Sequence, residues 1–150
     1  MSAIACIVLI IVLLAATICE KITEEISVWI WVFGGVVGSV LNYLGYGGVS
    51  LKVGILTSVG IYLLGLVFSA SLRNAIGGGL IKGFSMCGVY FGVFTIITMI
   101  IWAVSLGFAG WIHGLRKKDS IPGDTLTHGM PFLLFAVLAT VVYLIVKGLM

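Results

Sequence analysis

From Gly83 to His113 the chain runs for 31 residues without a formal charge. A helix that crosses a bilayer uses about 20 apolar residues, so this stretch is too long for one ordinary span and short for two. Four further apolar runs, at 3–19, 28–44, 51–70 and 130–148, are each bounded by charge, Gly or Pro. Only 9% of the residues are charged and 61% are hydrophobic, whereas roughly a quarter of a soluble domain is charged. The chain therefore reads as an all-α polytopic membrane protein. Six spans take about 120 residues of the 150, which excludes a nucleotide-binding cassette, a soluble catalytic lobe or a disulfide-stapled ectodomain. Function has to reside in the helix bundle or at its edge.

The distribution of basic residues decides the number of spans. If the uncharged stretch holds two helices, Lys21, Arg73, Lys82, Arg116, Lys117 and Lys118 fall on one side, with only Lys52 and Lys147 on the other. A single long helix would send the Arg116–Lys118 cluster across and erase the positive-inside bias. The reading is thus one transmembrane domain over 1–150 with helices at 3–19, 28–44, 51–70, 80–92, 93–113 and 130–148, a tight turn near Gly92, and both termini outside. The stretch from Ile4 to Ile18 lacks the basic flank and small-residue cleavage site of a secretory signal, and is read as the first retained helix. The net charge of +3 reflects topology, so no nucleic-acid partner is expected.

Most of the remaining features read as packing. Gly34/Gly38, Gly79/Gly83, Gly88/Gly92 and Gly110/Gly114 stand four apart, the spacing that lets membrane helices approach closely. Trp29, Trp31, Trp102 and Trp111 read as interface anchors. Cys6, Cys19 and Cys87 show no CxxC spacing, and with His113 and His128 they match no metal site. Neither metal nor cofactor is expected. Asn42, Thr57, Ser58, Thr95, Thr98, Ser105 and Thr140 are the polar residues in or near the spans. An ionisable group at mid-membrane depth would mark a charge-coupled path, and no span carries one.

Charge gathers instead in three loops assigned to the inner side. The first holds Glu20, Lys21, Glu24 and Glu25 and leads to Ile26-Ser27. The second runs from Arg73 through Gly77-Gly78-Gly79-Leu80-Ile81-Lys82. Without P-loop spacing, its glycines read as a close-packed turn rather than a phosphate cradle. The third runs from Arg116 through Asp119 and Pro122-Gly123-Asp124 to His128-Gly129-Met130-Pro131-Phe132.

In this order and spacing the chain resembles the short, six-helix form of the prepilin leader peptidases, the GxGD intramembrane aspartic endopeptidases of type IV pilus and related secretion systems. The resemblance aligns Glu20 with the family's first aspartate, Ile26-Ser27 with the Ile-Pro pair that follows it, and Gly77, Gly78, Gly79, Leu80 and Lys82 with the Gly-x-Gly-Asp turn and its lysine. It implies a bacterial or archaeal cytoplasmic membrane, a GxGD-type bundle, and a partner that is a pilin-like precursor or other single-span helix. The departures bear on chemistry. Two aspartates that share a proton activate water in such enzymes; here one position is Glu20 and the other is Leu80, which cannot ionise. The resemblance therefore implies a pseudo-enzyme that binds pilin-like helices or assists pilus or secretion assembly. The alternatives are an active endopeptidase using Glu20 and an unidentified second acid, for which Asp124 is the nearest candidate, and a small scaffold or transporter subunit of unrelated function.

Overall fold

The computed structural model describes residues 2–23, 26–71, 78–116 and 130–148. Among them are six helices: α1 (Ala3–Thr23), α2 (Val28–Tyr43), α3 (Leu51–Ser71), α4 (Gly78–Phe91), α5 (Thr95–Arg116) and α6 (Met130–Val146), with a 3-10 turn at Gly92–Phe94 between α4 and α5. Ala3–Thr23, Leu51–Ser71 and the helical stretch Gly78–Ala109 are each long and apolar enough to cross a membrane, while Val28–Tyr43 and Pro131–Val146 are shorter apolar helices. Among the described residues the expectation of an all-helical, apolar protein is met. Helix α1 continues past the end of its apolar run, because a charged residue closes a hydrophobic stretch without closing a helix. The Thr23 hydroxyl donates back to the Cys19 carbonyl at 2.8 Å inside this last turn.

The long stretch from Gly78 is a hairpin. Phe84 and Trp102 meet edge to face with ring centroids 5.2 Å apart, whereas a sequence separation of eighteen would put them about 27 Å apart in a straight helix. Reversal occurs at Gly92, whose φ of +55° is left-handed. A Cβ built there would also lie 2.8 Å from Val49 Cγ1, so both conformation and space call for glycine.

Local contacts fix the relative direction of the helices. Ser2 donates through both its N–H (3.1 Å) and its hydroxyl (2.6 Å) to the Tyr46 carbonyl, and Val49 abuts Gly92. At the opposite end Ile26 lies against Gly79, and Trp31 and Leu133 against Gly83. The helices accordingly alternate between a Gly92 end and a Gly79 end.

Helix α4 occupies the centre and is buried along nearly its whole length, from Leu80 and Ile81 through Phe84 to Phe91. A helix apolar all round belongs inside, and α4 touches every other helix. Around it, α1 turns Ala5, Leu9, Val12, Leu13 and Ala16 inward and Ile4, Ile7, Ile11, Leu14 and Ile18 outward. Helices α2, α3, α5 and α6 likewise present large apolar side chains on their outer surfaces. Such a surface suits lipid and not water. Trp31 and Trp102 depart from the interface-anchor expectation. They are 6% and 8% exposed, because their rings are used for packing on Gly83 and Phe84. Trp29, exposed at the start of α2, keeps the anchor role open to it; the Trp111 side chain lies outside the described ones.

Three of the glycine pairs pack within the protomer. Gly34 and Gly38 on α2 receive Met86 and the Tyr90 ring of α4, and Gly88 lies against the backbone of Ser58 on α3. Gly79 and Gly83 receive Ile26, Leu133 and Trp31. Close approach is then locked by hydrogen bonds. The Tyr90 hydroxyl donates to the Gly34 carbonyl at 2.8 Å, the Ser58 and Ser85 hydroxyls are 2.9 Å apart, and those of Thr98 and Thr140 are 3.0 Å apart between α5 and α6.

Asn42 has a specific task. The chain reverses at Gly92, so the Val89 carbonyl is among the last four of α4 and lacks an intrahelical donor. The buried Asn42 amide donates to it at 2.7 Å. Asn42→Leu leaves that carbonyl unpartnered and is expected to cost about 1–3 kcal/mol, read as a lower unfolding midpoint in detergent. Thr140→Val removes one hydroxyl pair and should cost only about 0.6 kcal/mol, the average for interhelical hydrogen bonds in membranes. The ratio between these two losses separates a helix-end cap from ordinary polar packing.

Candidate functional site

The buried stripe of α1 passes through Leu9, Leu13 and Ala16 and, at the same three-to-four-residue spacing, reaches Glu20. Glu20 is half-buried, at the Gly79 end of the bundle. Leu80 begins the inward face of α4, is 5% exposed and belongs to the hydrophobic core.

Their relative depth follows from a shared reference. Val12 of α1 and Met86 of α4 both meet Gly34. Glu20 lies eight residues beyond Val12, about 12 Å, and Leu80 six residues before Met86, about 9 Å, both toward the Gly79 end at 1.5 Å per residue. By rise along the two helices the positions stand within about 3 Å of one level; Leu80 is buried there and Glu20 half-buried. Ile26, just ahead of α2, lies against Gly79, where a built Cβ would touch its Cδ1 at 3.1 Å. Gly78 has open space beside it, and Lys82 is half-buried one turn further along.

Gly77 and Asp124 lie outside the described residues, as do Glu24, Glu25, Arg73, Asp119 and His128. Glu20 is consequently the one carboxylate among the described residues. Among them, no three His, Cys, Asp or Glu side chains come together as a metal site. The Glu20 carboxylate can accept hydrogen bonds or a proton, and the Leu80 side chain can do neither.

The sequence did not point to a second feature. A groove of about 430 Å³ runs between α2 and α3, lined by Trp31, Gly35, Ser39, Ile55 and Val59 with Val89 of α4 as its floor. Gly35 leaves open space where a Cβ would be. The Ser39 hydroxyl is turned back onto the Gly35 carbonyl at 2.8 Å, and Ser58 is engaged by Ser85, so the surface offered is narrow and apolar. Its only sequence signal is the small pair Gly35 and Ser39 at four-residue spacing, which the overlapping Gly34/Gly38 pair obscures.

No protein-family model, curated protein or solved structure matches the chain.

Proposed function

We propose that this protein is a six-span, prepilin-peptidase-like membrane protein that has lost two-carboxylate proteolysis and binds a pilin-like, single-span helix. In this reading both termini are outside a bacterial or archaeal cytoplasmic membrane and the Gly79 end faces the cytoplasm. What supports it is that Glu20 in the last turn of α1 and Leu80 in the first turn of α4 lie at the same end of the bundle, with Ile26 seated on Gly79. Order and spacing alone led the resemblance to pair those positions.

The substitution pattern fits binding without cleavage. Leu80 completes an apolar core where a peptidase would need an ionisable group. The α2–α3 groove supplies a surface for a helix: membrane helices associate through small residues and close packing, and Gly35 and Ser39 provide both.

A photo-reactive residue at Val36 or Val59, on the rim of the groove, tests this directly. Co-expression with a type IV prepilin should give a crosslink to the prepilin helix, and Gly35→Leu, at a position where a Cβ meets nothing within 4 Å, should reduce it at least tenfold. Equal crosslinking with and without Gly35→Leu, or capture from Ile100 on the exposed face of α5 at the same yield, would remove the groove from the account.

A further inference from the structure

Helix α4 is covered on every side but one. From Leu80 to Phe91 its residues are buried except Lys82 and Ser85, which are half-buried. Lys82, Ser85 and Val89 stand three and four apart and so share one face of the helix. Val89 is the floor of the α2–α3 groove. On the groove's α3 wall, the Ser85 hydroxyl donates to the Ser58 carbonyl at 3.0 Å and pairs with the Ser58 hydroxyl at 2.9 Å. The strip of α4 left open between α2 and α3 therefore leads from an apolar floor at Val89 to a lysine at the Gly79 end.

Neighbouring contacts set the depth of that lysine. Trp31 covers Gly83, so Lys82 stands level with the first turn of α2, where Trp29 is exposed as tryptophans at the membrane–water boundary are. Ile81 meets Gly65, and α3 continues six residues further to Ser71, about 9 Å. The ammonium thus belongs at the inner edge of the headgroup layer. A cation at such depth is costly unless an anion meets it, and Lys82 has no ion-pair partner among the described residues. Trp31, at the same end of the groove, keeps a buried indole N–H without an acceptor among them. From Trp31 to Val40 the groove follows α2 for about 14 Å, close to one leaflet's half of a hydrocarbon core of about 30 Å.

We propose that the α2–α3 groove is a site for one anionic phospholipid, with its phosphate at Lys82 and one acyl chain laid over Val89. Charge and polarity both select this occupant. The walls take hydrocarbon, because the Ser39 and Ser58 hydroxyls are already engaged, and the lysine at the mouth takes an anion. A zwitterionic lipid offers the same chain but brings its own cation to Lys82. The proposal goes beyond helix binding and requires only that the bundle crosses a bilayer with the groove open to lipid. Where a pilin-like helix enters the groove, this lipid is what it displaces.

Native mass spectrometry of the full chain in detergent tests the site. Dioleoyl phosphatidylglycerol and dioleoyl phosphatidylcholine are titrated in parallel, with glycerol 1-phosphate as a competitor that has the headgroup phosphate and no chains. The unaltered protein should hold one phosphatidylglycerol about fivefold more tightly than phosphatidylcholine, the contribution of a single lysine near an anionic surface. Lys82→Gln should erase that preference, while Lys82→Arg and, at the Gly92 end, Lys52→Gln should keep it. Gly35→Leu, in the groove wall where a Cβ meets nothing within 4 Å, should weaken binding of both lipids. Glycerol 1-phosphate should not compete. A preference that survives Lys82→Gln would overturn the site, as would lipid binding indifferent to Gly35→Leu. Displacement by glycerol 1-phosphate at equal concentration would overturn it too, by showing that the headgroup binds alone. No prepilin is present, so failure here is distinct from failure of the helix-binding reading.

Discussion

Gly88→Leu should abolish the folded bundle. A Cβ at this position lies 3.0 Å from both the Cα and the backbone N of Ser58, so the obstacle is main chain that no rotamer change can move. The only relief is to push α3 away from α4, and that separation breaks the Ser58–Ser85 pair at 2.9 Å. Over-packing a core commonly costs about 1–3 kcal/mol when side chains can give way; here they cannot. The expected result is loss of monodisperse protein in detergent. Gly60→Leu is the matched control on α3. A Cβ there meets nothing within 4 Å, and the variant should purify as the unaltered protein does. Equal behaviour of the two variants would mean that α3 and α4 are not in contact as described.

The second large effect concerns Leu80. Its side chain is 5% exposed within the core, and removing a buried leucine costs about 2–5 kcal/mol. A carboxyl or carboxamide in its place adds about 1–3 kcal/mol for burying a polar group without full compensation. Leu80→Asp and Leu80→Asn should therefore lower the unfolding midpoint in detergent by similar, large amounts. The pair is informative because the two side chains nearly match in shape and differ in ionisation. Any catalytic gain seen with Leu80→Asp and not with Leu80→Asn is then chemical. If both variants were as stable as the parent protein, the core position of Leu80 would be wrong, and a water-accessible site would be indicated instead.

Much of the architecture is legible in the sequence for one reason: in a bilayer, charge and glycine report position more strongly than periodicity does. The uncharged run after Gly83 and the basic residues around it called for a reversal near Gly92, and the Phe84–Trp102 contact places a hairpin there. Which face of each helix points inward was not legible, because both faces are apolar. Leu51–Ser71 buries little more than Gly54, Ile61 and Ser69, and no hydrophobic alternation in its sequence distinguishes them. The tryptophans illustrate the same limit. Trp29 and Trp31 are two residues apart, so they fall on different faces of α2, and only the packing against Gly83 reveals that Trp31 is core. Asn42 stood out as polar, but its role depends on a carbonyl 47 residues away. At the candidate site, order and spacing selected Glu20 and Leu80. Their shared level required the tertiary reference that Val12, Gly34 and Met86 provide.

That shared level is the premise of the proposed function, and leader cleavage tests it most directly. A type IV prepilin is incubated in liposomes with the unaltered protein, with Glu20→Asp plus Leu80→Asp, and with Glu20→Asp plus Leu80→Asn. Loss of one member of a cooperating catalytic set removes several orders of magnitude in rate. The unaltered protein and the Asn-containing variant should leave the precursor intact, and the double-aspartate variant should release the leader at a measurable rate. Leader removal by the unaltered protein, abolished by Glu20→Gln, would contradict the account.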